Sequence, residues 1–320
     1  MSDAWSGLRC LVTGGAGFGG RRLVDELICK GAEVTVLDRR LGTRACPEVD
    51  YVVGDVRDDA LVRTLLRTRH VDAVFHLAAE ALVPYSVAHP AEVLDVNARG
   101  TYVMLEAWRQ ERPDARFIFA SSGAYYGDTT SSEPLPESAS PLAAANLYAS
   151  SKAAADLAVQ GYAATYDLRA AVCRFMNTYG PGDTHRSRLV PRALALLASA
   201  GPFDFGNRDD GTSALDFLYI DDMVSGYLAV AEHLEYGDSG AFNFGSGRCV
   251  PIAEVATRAS VVWDGLSRVP VFSGARRAAP RRKWLDIRKA RDLLGWEPRT
   301  DLDTGLAATV RWFREAKRGC

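Results

Sequence analysis

Residues 9–20 read RCLVTGGAGFGG, an apolar run followed at once by closely spaced glycines. Arg9 to Thr13 has the composition of a buried strand. Gly14, Gly17 and Gly20 stand in a G-x-x-G-x-x-G spacing, and Gly19 to Cys29 carries Leu23, Val24, Leu27 and Ile28 at helical intervals. The stretch therefore predicts strand, tight turn, helix. Glycine there permits the turn, the close approach of a pyrophosphate to the backbone, and close packing of helix on strand. The helix N-terminus adds free N–H donors and the positive end of a dipole. Phe18 belongs to the same turn.

Working outward, Glu33 to Asp38 predicts a second strand, and Asp38 closes it about 20 residues after the glycines. A carboxylate at that place accepts hydrogen bonds from adenosine ribose hydroxyls and repels a 2′-phosphate, which favours NAD over NADP. Arg39 and Arg40 follow directly and supply the opposite possibility, that of holding a 2′-phosphate. Further strands are predicted at 51–53, 73–77, 117–120 and 168–175, and helices at 60–68, 90–110 and 144–166. Strands alternating with such helices imply βαβ units and a parallel sheet covered on both faces. The fold expected is α/β, a Rossmann-type doubly wound sheet with a smaller C-terminal α/β substrate lobe. Turn signals crowd together after Asn177 (GPGD at 180–183, DDGT at 209–212). The boundary is therefore drawn at 1–178 for the dinucleotide-binding domain and 179–320 for the substrate lobe, with about 214–247 returning to the first domain.

Tyr148 and Lys152 are four apart in a predicted helix and share one face. A tyrosine is a poor base at neutral pH, and a nearby ammonium stabilises its phenolate. Such a pair can move the proton of a sugar hydroxyl while hydride passes to or from nicotinamide. Ser122 follows the fifth strand, at the carboxyl edge of the sheet, within reach of the same substrate oxygen.

The 320 residues leave room for one large domain or two joined ones. Lys plus Arg number 38 and Asp plus Glu 40, a formal charge of −2, which gives no reason to expect nucleic-acid or membrane-surface binding. Six cysteines at 10, 29, 46, 173, 249 and 320 form no C-x-x-C pair, so neither a disulfide framework nor a metal site is expected. The N-terminus has no basic and apolar leader pattern, and no apolar run reaches 18 residues. A cytoplasmic, reduced protein is expected.

In order along the chain come TGGAGFGG (13–20), GDVRD (54–58), HLAA (76–79), VNARGT (96–101), SSGAYYG (121–127), YASSK (148–152), RFMNTYGPGD (174–183), DFLYIDD (216–222), FNFGSG (242–247) and DIRKARDLLGWEP (286–298). In these motifs the chain resembles the extended short-chain dehydrogenase/reductases, the NAD-dependent nucleotide-sugar epimerases and dehydratases such as UDP-glucose 4-epimerase. The resemblance spans nearly the whole chain. It implies that Asp55 and Val56 contact the adenine, and that Leu77, Ala78 and Ala79 lie along the NAD. It implies that Asn97 sits near the active site, that Lys152 also bonds the nicotinamide ribose, and that Asn177 bonds the sugar diphosphate. Arg188 and Leu189 are further substrate candidates.

Three departures carry information. Dehydratases of the family place an Asp-Glu pair, and decarboxylases a Glu, where this chain has Gly123 and Ala124. Neither residue moves a proton, which leaves reversible oxidation at one sugar carbon. A 4-epimerase with tightly held NAD is expected, with a nucleotide-sugar 4-ketoreductase as the alternative and a non-catalytic NAD-binding protein the weakest reading. Leu215 stands where the family often has a diphosphate-binding arginine, with Arg188, Arg276 or Arg281 as replacements. Tyr125 replaces a small aliphatic residue, either narrowing the pocket or packing. His76 is expected to pack beside the cofactor, and His185 to lie in a loop. The long helices 90–110 and 144–166 suit a four-helix homodimer interface.

Overall fold

The computed structural model describes residues 4–41, 46–140, 144–199, 201–234 and 239–318. The first half alternates strand and helix: β1 (Arg9–Thr13), α1 (Phe18–Cys29), β2 (Glu33–Asp38), β3 (Val49–Val53), α2 (Asp59–Thr68), β4 (Ala73–His76), α3 (Val83–Ala88), α4 (Pro90–Leu94), α5 (Gly100–Glu111), β5 (Arg116–Ser122), α6 (Leu147–Tyr166) and β6 (Ala170–Phe175). The second half contributes β7 (Asn177–Tyr179), α7 (Leu189–Ser199), β8 (Ala214–Leu215), β9 (Phe217–Tyr219), α8 (Ile220–His233), β10 (Gly240–Phe244), β11 (Val250–Pro251), α9 (Ile252–Asp264), β12 (Arg282–Lys283), α10 (Arg288–Leu294) and α11 (Leu302–Arg318).

Among the described residues, seven strands form the central sheet in the order β10-β6-β5-β4-β1-β2-β3. Every pairing in it is parallel. The strands alternate their side chains between two cores. In β1, Cys10 and Val12 face one core and Leu11 the other; in β5, Ile118 faces the first, and Phe117 and Phe119 the second. The first core is closed by Leu23 and Leu27 of α1 with Val224 and Leu228 of α8. The second is closed by Val62 and Leu66 of α2, Met104 and Trp108 of α5, and Ala155 and Val159 of α6. Both faces are therefore helix-covered, as an all-parallel sheet requires.

The strand order reverses between β1 and β4, and the carboxyl ends at that switch open into a cleft. The chain returns to the sheet through α8 and β10, whose Gly240 to Phe244 run beside β6. Two small sheets frame the far side of the cleft: β7 with β9, and β11-β8-β12. The stretch expected as one helix from 90 to 110 is instead α4, a π-helical turn (Asp95–Arg99) and α5. Among the described residues no helix is long and apolar enough to cross a membrane.

Candidate active site

The glycine turn is shaped by close approach. Gly14 has φ +72°, and a Cβ there would stand 2.8 Å from the Ala78 nitrogen. A Cβ on Gly20 would run into the Gly14 carbonyl. Gly17 donates its N–H to that carbonyl at 3.1 Å and forms the N-cap of α1 with no side-chain capping bond. The first-turn N–H groups of α1 are thus left for a ligand, and Phe18, Gly19 and Gly20 line the cleft. We expect Gly14→Ala to cost about 1–3 kcal/mol in backbone strain and steric conflict, and to lower NAD retention on purification. Mass spectrometry of the cofactor released on denaturation checks this; undiminished NAD would contradict it.

Asp38 ends β2 beside the turn. Its carboxylate accepts from the Ala16 N–H at 3.1 Å and the Arg40 N–H at 3.2 Å, which holds it at the mouth of the cleft. Arg39 is already committed to carboxylates, pairing with Glu80 and lying 3.6 Å from Glu92. Asp55 and Val56 line the cleft next to it. The Asp55 carboxyl accepts from the Arg57 guanidinium at 2.6 Å and is held below the usual carboxylate range by it. Leu77, Ala78 and Ala79 form the adjoining wall.

A chain of buried hydrogen bonds fixes that wall. The Ala78 N–H donates to Thr13 Oγ1 (3.2 Å), and Thr13 Oγ1 lies 2.7 Å from His76 Nδ1. His76 Nε2 lies 3.0 Å from Thr101 Oγ1, whose hydroxyl donates to the Asn97 carbonyl. Since Thr101 spends its proton on Asn97, the bond to His76 requires Nε2–H, leaving Nδ1 to accept from Thr13. Burial pushes the His76 imidazole down to about 3, so it is a neutral strut. Asn97, on the π-helical turn, does not line the cleft. Its amide accepts from Glu80 N–H (2.7 Å) and donates to the Glu80 carbonyl and to Ser151 Oγ (2.9 Å). It ties the loop after β4 to α6 from behind the cleft, near the site but outside its lining.

Ser122, Tyr148 and Lys152 all line the same cleft. Ser122 ends β5, and Tyr148 and Lys152 lie one turn apart near the start of α6, which Asn146 caps by accepting from Ala149 N–H at 2.9 Å. Burial raises the Tyr148 phenol above its ordinary value, while a hydrogen bond with Ser122 and the Arg188 charge pull it back. The Lys152 ammonium donates to the Ala120 carbonyl at 2.8 Å and lies 4.9 Å from the Phe119 ring centroid. The expected lowering of the phenol by this lysine is therefore not made here: Lys152 is turned to the sheet. Its burial pushes its own ammonium down to about 8, with Asp156 opposing. Burial disfavours the charged form, so the proton leaves at lower pH than from a free lysine. Nitrogen NMR of Lys152 Nζ in cofactor-free protein is expected to titrate near pH 8; titration near 10.5 would contradict this burial.

Beneath the triad lies an ion pair that sequence reading did not find. Arg174 donates to both oxygens of Asp156 at 2.9 Å, and Ser121 donates to Asp156 at 2.6 Å. Arg174 also donates to Tyr126 Oη (2.8 Å), whose hydroxyl donates to Asn243 on β10 (2.7 Å). Tyr125 lies 3.6 Å from the guanidinium, buried and outside the cleft lining, so it packs on Arg174 and does not narrow the pocket. A Cβ on Gly123 would meet the Met176 thioether. Among the described residues no group of His, Cys, Asp and Glu could hold a metal ion.

On the opposite side, Asn177, Arg188, Leu189 and Leu215 line the cleft, as does His185. Asn177 donates to the Asp216 carbonyl (2.9 Å), and Arg188 pairs with Asp183 at 3.1 Å. Arg276 is exposed and outside the cleft lining, which corrects its expected substrate role. The Arg277 N–H is anchored to Asp210 at 2.9 Å, which carries the backbone outward there. Arg281 and Lys283 line the cleft instead. Lys283, on β12, was missed as a single residue; its place follows from the pairing of β12 with β8.

This fold and cleft define a Rossmann-type dinucleotide-binding enzyme. The family model described as "NAD dependent epimerase/dehydratase family" matches residues 10–245. The chain is 31% identical to a UDP-glucose 4-epimerase of Halalkalibacterium halodurans, over 97% of this chain and 96% of that protein. Among solved structures, the UDP-glucose 4-epimerase of Thermotoga maritima with UDP-glucose superposes with a TM-score of 0.87 at 30% identity, covering 97% of this chain and all of that one. The dTDP-glucose 4,6-dehydratase of Streptomyces venezuelae, with NAD bound, gives 0.86 at 30% identity, covering 98% of each chain. The chain belongs to the NAD-dependent epimerase/dehydratase family, and its cofactor is NAD. The uncapped start of α1, the glycine contacts that leave no room for Cβ atoms, and the Asp38 carboxylate at the mouth of the cleft fit that cofactor.

Proposed function

We propose that the protein is a nucleotide-sugar 4-epimerase that oxidises its substrate transiently at C4 of the sugar. The observation that carries this is the meeting of Ser122, Tyr148 and Lys152 in one cleft with the glycine turn, while Gly123 and Ala124 supply no carboxyl for water loss. NAD, when bound, supplies the acceptor and donor of hydride. Tyr148 would act as the phenolate, which the Arg188 charge and the positive charge that NAD brings favour: it would take the proton of the C4 hydroxyl as C4 is oxidised and return it when C4 is reduced, so cofactor and protein end as they began. Ser122 donates a hydrogen bond to the same sugar oxygen and holds it against the phenol. Lys152, charged below about pH 8, keeps a positive charge beneath the site. Glycines and helix N-terminus bind the cofactor's pyrophosphate, and Asp38 its adenosine ribose.

Inversion requires hydride to return to the other face of C4, so the sugar must turn while the cofactor stays. A panel of UDP- and dTDP-hexoses tests the proposal by NMR of the C4 stereocentre. Inversion without net change in NADH supports it. Stoichiometric use of added NADH would identify a ketoreductase.

We further propose a homodimer through α5 and α6, where Tyr102, Leu157 and Tyr166 are exposed. Light scattering on the purified chain is expected to give twice the 34.7 kDa chain mass, and a monomeric mass would overturn this.

A further inference from the structure

The far end of the cleft carries two contradictory determinants. Asp38 ends β2 and Arg39 follows it directly, and both line the cleft. In this fold a strand-end acid bonds the ribose hydroxyls of NAD, while a nearby arginine accommodates the 2′-phosphate of NADP. Arg39 stands where that arginine is needed, yet its guanidinium is spent elsewhere. Nη2 donates to Glu80, on the loop after β4, and Nη1 lies 3.6 Å from Glu92 on α4. Both acceptors are themselves held in place. Asn97, only 2% exposed, accepts from the Glu80 N–H at 2.7 Å and donates to the Glu80 carbonyl at 3.0 Å. Glu92 accepts from the Tyr85 hydroxyl at 2.7 Å, and the Tyr85 ring packs on His89 with centroids 4.3 Å apart. Glu80 also lines the cleft, adding its negative charge to that of Asp38.

We propose that Glu80 and Glu92 exclude NADP by holding Arg39, so that a 2′-phosphate meets carboxylates and no free guanidinium. Such a phosphate carries about −1.5 to −2 charge at neutral pH. To bind it, Arg39 must leave two acceptors, which then stay behind as unpaired anions near the same phosphate. NAD has a hydroxyl at that position and needs only the Asp38 carboxylate. The two glutamates therefore act on the phosphate and not on NAD, and their loss changes the balance between the two cofactors. Arg39 is 46% exposed, and an ion pair that exposed contributes little to folding stability. The effect is accordingly read in cofactor affinity rather than in unfolding.

The test is calorimetric titration of NAD, NADP and 2′,5′-ADP into the full chain freed of retained cofactor. Glu80→Gln with Glu92→Gln keeps the side-chain shapes and removes the charge that holds Arg39. This double variant is expected to tighten NADP and 2′,5′-ADP by about 10- to 100-fold, the size of a charge-assisted hydrogen bond gained. Its NAD affinity should change by less than about fivefold, the worth of an exposed ion pair. Adding Arg39→Ala should abolish the gain. Adding Arg40→Ala instead, at the next cleft-lining residue, should keep most of it. Should Glu80→Gln not fold, Glu92→Gln with and without Arg39→Ala gives the same contrast at smaller size. An NADP:NAD affinity ratio in the double variant that stays at the parent value overturns the proposal. So does a gain that survives Arg39→Ala, which would be charge removal alone, or a parent that binds NADP as tightly as NAD. Failure of the parent to bind NAD overturns the cofactor site itself, on which the exclusion rests.

Discussion

Tyr148→Phe is expected to lower kcat by about a thousandfold, within the usual worth of a positioned acid–base group, while the protein retains its NAD. The substitution removes one oxygen and keeps the ring, so α6 and its packing are preserved. The residues proposed to hold the cofactor's pyrophosphate and adenosine, Gly14, Gly17, Gly20 and Asp38, lie on other elements. What is lost is the group that exchanges a proton with the C4 hydroxyl. Ser122 remains, but an alcohol is a weaker acid than a phenol and offers no ionised oxygen at neutral pH to accept that proton. Ser122→Ala should cost less, about 10- to 100-fold, because it removes a hydrogen bond and leaves the base. Initial rates with the best nucleotide-hexose, beside cofactor content by mass spectrometry, check both. Activity of Tyr148→Phe within tenfold of the parent would remove the phenol from the mechanism.

Asp156→Ala should produce the largest loss of stability. Arg174 and Asp156 are 1% and 0% exposed, and the guanidinium makes two bonds to this carboxylate. Removing the acid strands a buried cation, which costs about 3–5 kcal/mol, and it frees the Ser121 hydroxyl as well. Replacing both residues, as Asp156→Leu with Arg174→Met, is expected to be milder than either single change, since no uncompensated charge is left. Urea unfolding of the three variants measures this. A double variant less stable than both singles would mean that the pair contributes packing and bonds beyond its charge balance. Because Ser121 precedes Ser122 and Asp156 follows Lys152 by one helical turn, the pair also sets the spacing of the catalytic groups.

The parts legible in the sequence are those encoded over short range. The β1–turn–α1 unit follows from an apolar run, glycine spacing and helical periodicity within twenty residues. Asp38, Ser122, Tyr148 and Lys152 stand at strand ends or on one helix face and could be placed from local pattern alone. The π-helical turn at 95–99 was not legible, because apolar periodicity from 90 to 110 is continuous. The turn accompanies long-range bonds, from Asn97 to Glu80 and Ser151 and from Asp95 to Arg57 (2.5 Å), none of them local in sequence. Tyr125 could not be oriented because its partner, Arg174, lies on another strand. Arg276 could not be placed from sequence because the backbone beside it is held by the Arg277 contact to Asp210, 67 residues upstream. Lys283 gained its place from pairing with β8, about seventy residues upstream, a register that no local pattern contains.

The most direct test of hydride removal and return at one carbon uses a nucleotide-hexose deuterated at C4. Incubated with the NAD-loaded protein and followed by NMR, it should yield the C4 epimer with deuterium still on C4 and none gained from or lost to solvent. Loss of the label to water, or a 6-deoxy-4-keto product formed by elimination, would contradict the account.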